Sequence, residues 1–184
     1  MTRYAGRRAV VVGGPPAVDL AIAKRLVEGG ARVVFAAPAG ERARLRAELG
    51  STAEVVVPGG LDASLGPGAE PTVDLLFAGT APTARPLLRR LRAGGAVVLT
   101  AGPSGTELRA LAADPGARGI RVNAVVPGCI AAPGGAPVPL PPLGRLGAAE
   151  EVARAALFLA TDATFTTGAR LPVDGGRSAA PPPD

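Results

Sequence analysis

The stretch Leu143–Gly176, LGRLGAAEEVARAALFLATDATFTTGARLPVDGG, predicts a helix followed by a strand, and it shows the clearest structural pattern in the chain. Glu150 and Glu151 fall in the first turn of this helix, where the helix dipole favours negative charge. The residues after them are apolar almost all round, as is typical of a helix buried on more than one side. Phe158 nevertheless falls within the narrow polar arc, which indicates a contact beyond the core of the domain itself. A strand over Ala169–Val173 follows a short Thr/Gly turn.

The composition limits the class of protein. With 184 residues, 47% of them hydrophobic, the chain is long enough for one domain with a buried core. It contains no His and a single Cys, Cys129, so His-based catalysis, His or Cys metal clusters and an internal disulfide are excluded within one chain. The 20 basic residues are dispersed, so we expect no nucleic-acid binding. We find no secretion signal and no apolar run of about 20 residues, and therefore expect a cytoplasmic protein without a membrane segment.

Apolar runs typical of buried strands alternate with helical patterns along the rest of the chain. The first run is followed by a Gly/Pro turn, by a helix with Val18, Ile22 and Leu26 on one face, and by a second run, which together form a βαβ unit. The predicted strands are Arg8–Val12, Ala31–Ala36, Ala53–Val57, Val73–Ala78, Ala96–Thr100, Ile120–Val126 and Ala169–Val173. This alternation predicts an α/β fold with a doubly wound parallel sheet of about seven strands, similar to a Rossmann fold.

The connections between the later strands are short. The helices predicted there are Glu41–Leu49, about Thr83–Arg92, and Ser104 to about Ala113, the last opened by the capping-box spacing of Ser104 and Glu107. Pro58–Pro71 and Gly134–Pro142 are predicted to be loops because of their turn residues. We therefore expect one domain over residues 1–176, with shortened helices after strands three, four and five, and a disordered Pro-rich tail over 177–184.

Two segments resemble a known family. GIRVNAVVPG at Gly119–Gly128 and the opening stretch after it are similar to short-chain dehydrogenases/reductases, near the 3-oxoacyl-carrier-protein reductases. AVVVGGPPAVDLAIAKRLVEGGARVV, from Ala9, is similar to the first βαβ unit of the same family. The resemblance implies a Rossmann-like fold, a nicotinamide cofactor, hydride transfer by Ser, Tyr-x-x-x-Lys and Asn, and subunits that pair.

The nucleotide loop departs from that family. Its motif T-G-x-x-x-G-x-G falls on Val12, Gly13, Ala17 and Asp19, so only the first Gly remains. Two prolines at 15 and 16 remove N–H donors, and the carboxylate of Asp19 opposes a phosphate at the start of the helix. Ala36-Ala37-Pro38 replaces the residue that would select NAD or NADP.

No cofactor is therefore expected, with NAD(P) kept as an alternative. The remaining matches to the cofactor-binding positions of the family are Gly13, Asp62, Pro127 and Gly128.

The catalytic positions depart from the family as well. Phe77-Ala78-Gly79-Thr80 stands in place of its N-N-A-G motif, and Gly102 stands in place of the catalytic Ser. The segment that would carry Tyr-x-x-x-Lys is deleted, while Tyr4 and Lys24 lie in the first strand region and the first helix. We expect no catalytic residues of the usual set.

The last helix and strand match a surface through which subunits of the resembled family pair. The resemblance implies an interface that includes Glu151, Arg154, Phe158, Ala169, Leu171 and Val173. We therefore hypothesise a non-catalytic subunit that pairs with a full-length family member or with itself.

Two alternatives stay open. One is a non-redox enzyme or small-molecule binder, for instance a cyclase or dehydratase, that uses Asp19, Asp62 and Asp74 near strand ends; the other is an NAD(P)-dependent oxidoreductase. Arg85, Arg89 and Arg92, at helical spacing, could present a basic edge to an acidic carrier protein, although a solvated face is the simpler and favoured explanation.

Overall fold

Seven parallel strands form a single sheet in the computed structural model, which describes residues 3–68, 70–113, 118–131 and 138–179. The order across the sheet is β3-β2-β1-β4-β5-β6-β7, so the chain winds outward from β1 in both directions. The strands are β1 Arg8–Val12, β2 Arg32–Ala36, β3 Ala53–Val56, β4 Val73–Ala78, β5 Leu91–Leu99, β6 Arg121–Pro127 and β7 Arg170–Val173. The predicted doubly wound, Rossmann-like sheet is confirmed.

Helices cover both faces of the sheet. They are α1 Pro16–Glu28, α2 Arg42–Leu49, α3 Leu61–Ser64, α4 Ala81–Ala84, α5 Gly105–Ala113 and α6 Ala149–Thr161. Because side chains alternate along a strand, Val11 packs with α1, α2 and α6, whereas Val10 packs with α3, α4 and α5. Ile22 and Leu26 of α1 are fully buried, as their spacing predicted. The helices after strands three, four and five are short, also as predicted.

The region before β5 differs from the prediction. In place of one helix over Thr83–Arg92, α4 is followed by a 3-10 helix over Arg85–Arg90, and β5 begins at Leu91 rather than Ala96. Leu91 is fully buried and pairs with Val73, and the register between the two strands then shifts. A strand forms here because Leu91 gains a pairing partner across the sheet, which the local sequence does not reveal.

The predicted loop Pro58–Pro71 contains short helices instead. Pro58–Gly60 form a 3-10 helix, which continues into α3. Leu61 and Leu65 are buried against the sheet, and this apolar contact stabilises a turn of helix. The sequence did not predict this turn because the surrounding Gly and Pro residues are typical of loops. Arg177–Ala179 of the predicted tail form a 3-10 helix, while 180–184, like 132–137 of the predicted Pro/Gly loop, lie outside the described residues.

Candidate functional site

The loop between β1 and α1 lies at the carboxyl ends of the strands, where open α/β sheets bind ligands. Gly13 has a φ of 70°, a conformation that glycine adopts at no steric cost. Gly79, at the end of β4, lies so close to this loop that a Cβ there would overlap the Gly13 carbonyl. Pro15 precedes α1 and Pro16 begins it, so two residues of the loop carry no N–H.

Asp19 is the residue around which this loop is built. Its side chain is only 4% exposed, and its Oδ2 accepts a hydrogen bond of 2.8 Å from the Gly14 amide. The Thr100 hydroxyl, at the end of β5, lies 3.4 Å from Oδ1. A Cβ at Gly14 would overlap both side chains. Burial raises the pKa of Asp19 to about 6, against the opposing effect of these two hydrogen bonds.

A cavity of about 230 Å³ lies beside this loop. Asp19 borders it on one side, Phe35 and Ala36 at the end of β2 form its apolar wall, and Glu41 and Arg44 complete its charged lining. The pyrophosphate of a nicotinamide dinucleotide does not fit these groups. Two prolines replace N–H donors, the Gly14 amide is already bonded, and the nearest charge is negative.

Asp62, the sequence match to an adenine-contacting Asp, lies in α3 and is bound by two arginines. Its carboxylate pairs with Arg89 at 2.8 Å and with the buried Arg90 at 3.2 Å. The hydrogen bond from Arg90 holds the pKa of Asp62 below its usual range. Arg92 lies in β5 and pairs with Asp74, so Arg85, Arg89 and Arg92 do not share the predicted helix face.

The prediction that Asp74 lies near the strand ends at which ligands bind is wrong. Asp74 is the second residue of β4, and its Oδ2 accepts from the backbone N–H of Arg8, the first residue of β1. It therefore lies at the amino ends of the strands, opposite to the loop that contains Asp19.

Ser104, which lies near the position matched to the catalytic Ser, and Asn123, the single Asn of the chain, make structural hydrogen bonds. The Glu107 amide donates to the Ser104 hydroxyl at 3.2 Å, and the Ser104 amide donates to the Glu107 carboxylate at 3.0 Å, which confirms the capping box. Asn123 is fully buried, donates to the Thr166 carbonyl and accepts from the Ala169 amide.

Tyr4 and Lys24 are also placed apart from the nucleotide loop. The Tyr4 ring is buried against Gly29, before β1 begins, and Lys24 in α1 pairs with Glu48 of α2 at 2.8 Å. Gly102 has a φ of 63°, so the position matched to the catalytic Ser is one that favours glycine.

The last helix and strand form the second candidate surface. Helix α6 begins at Ala149, and most of its apolar residues are buried against α1 and the sheet. Phe158 is 50% exposed, although its neighbours Leu157 and Leu159 are buried. Arg121 fixes the end of this helix by donating to three carbonyls, those of Leu159, Ala160 and Ala163. The exposed Phe158 is therefore held on a rigid helix.

The other predicted interface residues lie on this helix and on or directly before β7, which is an edge strand of the sheet. Glu151 is half-buried and binds the Arg145 guanidinium through both oxygens, at 2.8 and 2.9 Å, which lowers the pKa of Glu151 to about 2. Arg154 is exposed. Ala169, Leu171 and Val173 are half-buried. Pro172 lies between Leu171 and Val173 and has no backbone N–H. A further strand could therefore not form a regular set of backbone hydrogen bonds along β7, so we expect contacts at this edge to be made by side chains.

The last matches to the cofactor-binding positions lie between β6 and β7. Pro127 ends β6, and the Gly128 amide donates to the Val173 carbonyl. A Cβ at Gly128 would lie 2.5 Å from that of Asp174, so glycine is required for this close approach.

Sequence reasoning missed two residues that lie beside the nucleotide loop and its cavity. Thr100 ends the predicted fifth strand, and Glu41 begins the predicted second helix; both positions would have been candidates for the carboxyl edge of the sheet.

Comparison with known proteins identifies the family. A family model described as enoyl-(acyl carrier protein) reductase matches residues 105–178. The L-fucose dehydrogenase of Mus musculus is 31% identical over 248 aligned positions, which cover 96% of this chain and 90% of that protein. The 3-oxoacyl-(acyl-carrier-protein) reductase FabG of Pseudomonas aeruginosa is 47% identical over 78 residues, 37% of this chain and 32% of that protein. A solved short-chain dehydrogenase/reductase from Serratia marcescens has a TM-score of 0.78 and 22% identity, covering 96% of this chain and 99% of that one.

The chain thus belongs to the short-chain dehydrogenase/reductase family. The match to the Pseudomonas protein spans about a third of that relative's length. The mouse alignment has more positions than the 184 residues of this chain, so the relative contains segments without a counterpart here. Within the described residues, no helix is long and apolar enough to cross a membrane, and no group of three or more Cys, Asp or Glu could hold a metal ion.

Proposed function

We propose that this protein is a non-catalytic short-chain dehydrogenase/reductase subunit that pairs, through α6 and β7, with a full-length member of the family or with a second copy of itself. The observation that carries the proposal is the half-exposed Phe158 on α6, a helix whose other large apolar side chains are buried and whose end is fixed by Arg121. We assign this exposed aromatic residue to a contact surface because it lies on the helix through which subunits of the resembled family pair.

The amino-terminal residues of the chain, which include Tyr4, Lys24 and the loop between β1 and α1, support the proposal that the protein is non-catalytic. Hydride transfer in the resembled family requires a Tyr whose pKa is lowered by a nearby Lys. The single Tyr and the single Lys of this chain are bound elsewhere, against Gly29 and Glu48. The loop that would meet the cofactor contains a buried carboxylate instead.

The pairing surface supports contact through side chains. Leu171 and Val173 stand half-buried on β7, and Arg154 stands exposed one helical turn before Phe158. An apolar centre with a polar rim is the usual anatomy of such an interface. Phe158 is the expected anchor, because aromatic residues, Phe among them, are enriched at the centres of protein interfaces.

The experiment is co-expression with a full-length 3-oxoacyl-(acyl-carrier-protein) reductase from the same organism, with the complexes weighed by native mass spectrometry. We expect a heterodimer or a homodimer for the unchanged protein. The Phe158→Ser variant should weaken pairing by at least about tenfold, the effect of losing a hot-spot residue. Phe165→Ser is the matched control, because Phe165 is fully exposed on the loop after α6. A monomer for the unchanged protein, or equal effects of both variants, would overturn the proposal.

A second candidate function, a non-redox enzyme or binder, is supported by the 230 Å³ cavity and by the raised pKa of Asp19. A carboxyl group that titrates near pH 6 can transfer protons at neutral pH. Turnover of a small substrate by the purified protein without NAD(P)H, lost in Asp19→Asn, would favour this candidate. An acidic carrier protein as ligand has less support, because Arg89 and Arg92 are paired with acidic side chains.

A further inference from the structure

The Asp19 carboxylate accepts hydrogen bonds from the loop in the way that a bound external anion would. The Gly14 amide donates to its Oδ2 at 2.8 Å, and the Thr100 hydroxyl can reach Oδ1 from the neighbouring part of the sheet. Backbone N–H groups at the start of a helix are the groups that bind phosphates in open α/β proteins. Here two residues of the loop are prolines without an N–H, and the Gly14 amide is bonded to a side chain of the helix that follows.

The other charged groups that face this carboxylate do not neutralise it. Glu41 and Arg44 line the same cavity from the connection between β2 and α2. Arg44 is bound to Glu48 at 2.9 Å, so its charge is directed along its own helix. From α4 and from the end of β5 the loop is approached by the uncharged Thr83 and Thr100. A phosphate that entered here would meet Asp19 without a free cation beside it.

We infer that Asp19 determines which ligands this loop admits: its carboxylate acts as the loop's own anion and excludes compounds that carry phosphate. The inference is independent of the pairing proposed for α6 and β7, because it concerns the opposite part of the chain. The inference also differs from a general loss of binding, because it assigns the exclusion of phosphate to the Asp19 side chain alone. Substitution of this residue by the neutral Asn tests that assignment.

The test is the binding of inorganic pyrophosphate and of NADPH by isothermal titration calorimetry to three forms of the full chain. Asp19→Asn keeps the shape of Asp19 and can still accept from the Gly14 amide, but it removes the charge and places an NH2 donor opposite the Thr100 hydroxyl. Glu41→Gln is the matched control, because it removes the same charge from the same cavity without touching the loop amide. We expect Asp19→Asn to bind at least one of the two probes at least tenfold more tightly than the unchanged protein, and Glu41→Gln to stay within about threefold. Equal affinities for the unchanged protein and Asp19→Asn would overturn the inference, as would an equal gain in Glu41→Gln.

A second measurement keeps the inference testable if Asp19→Asn folds poorly. As the pH falls from about 7.5 to about 5, Asp19 of the unchanged protein takes up a proton, since its pKa is about 6. Affinity for pyrophosphate should then rise more steeply than in an Asp19→Ala variant, which lacks this carboxyl group but keeps every other ionisable group of the cavity. Parallel pH profiles would contradict the inference. The measurement uses no activity and no partner, so its failure leaves the pairing experiment unaffected.

Discussion

Replacing Asp19 by Asn should change how the free energy of unfolding depends on pH. In the folded protein, burial raises the pKa of Asp19 from 3.8 to about 6. Each pKa unit corresponds to about 1.4 kcal/mol, so full titration of this group is worth about 3 kcal/mol. Because the folded pKa is the higher one, the contribution is fully present below pH 3.8 and is lost as the pH rises through 6.

The difference between the two proteins isolates this contribution. Other acidic groups, Glu151 above all, have lowered pKa values and stabilise the fold in the opposite pH direction, but they are common to both proteins. Asn is neutral at every pH and can still accept from the Gly14 amide. The variant should therefore match the parent in stability at about pH 4 and exceed it by about 2–3 kcal/mol at about pH 7.5.

Urea unfolding at a series of pH values, followed by circular dichroism, measures this difference directly. Asp62→Asn is a suitable control, because the pKa of Asp62 is lowered and its difference from the parent should have the opposite slope. A difference for Asp19→Asn that stays within about 0.5 kcal/mol between about pH 4 and pH 7.5 would refute a buried, ionised Asp19.

Three further changes test the contacts that hold the rest of the fold, each by urea unfolding at neutral pH. Arg121→Gln should lower the free energy of unfolding by about 2 kcal/mol or more, since three carbonyls at the end of α6 lose a charged donor; an unchanged value would show that water replaces it. Asn123→Ala should cost about 2–3 kcal/mol, because a buried carbonyl and amide lose their partners. Ser104→Ala should cost about 1 kcal/mol, the usual value of an N-cap, and a loss as large as that of Asn123→Ala would contradict a capping role.

The sheet could be predicted from the sequence because its central strands are uninterrupted apolar runs. Arg8–Val12 and Val73–Ala78 were predicted with the bounds that the structure shows. The start of β5 could not be, because Arg92 and two glycines break the apolar pattern after Leu91. That residue joins the strand through its pairing with Val73, a contact that depends on the sheet rather than on neighbouring residues.

The candidate site was predictable in position but not in environment. The alignment of Asp19 with a glycine of the family motif placed a carboxylate at the start of α1, as the structure does. Its burial could not be anticipated, because Thr100 is 81 positions away and reaches it only after β1 and β5 enter one sheet. In the same way, the sequence placed Asp62 in a turn. Its buried partner Arg90 lies 28 positions later in the chain, directly before β5, and reaches Asp62 only in the folded protein.

Phe158 shows the opposite case. Its place within the polar arc of α6 followed from helical periodicity alone, and the structure leaves it half exposed on the same helix as the exposed Arg154, while the other large apolar side chains of the helix are buried. Periodicity was sufficient here because the helix is regular over 13 residues and its ends are fixed.

The most direct test of the whole account weighs the complexes and counts their bound cofactors in one measurement. The protein is co-expressed with a full-length reductase of the family and examined by native mass spectrometry in the presence of NADPH. We predict a heterodimer that carries a single NADPH, in the full-length subunit, and a homodimer of this chain that carries none. Two NADPH molecules in the heterodimer, or one in each copy of the homodimer, would contradict the account.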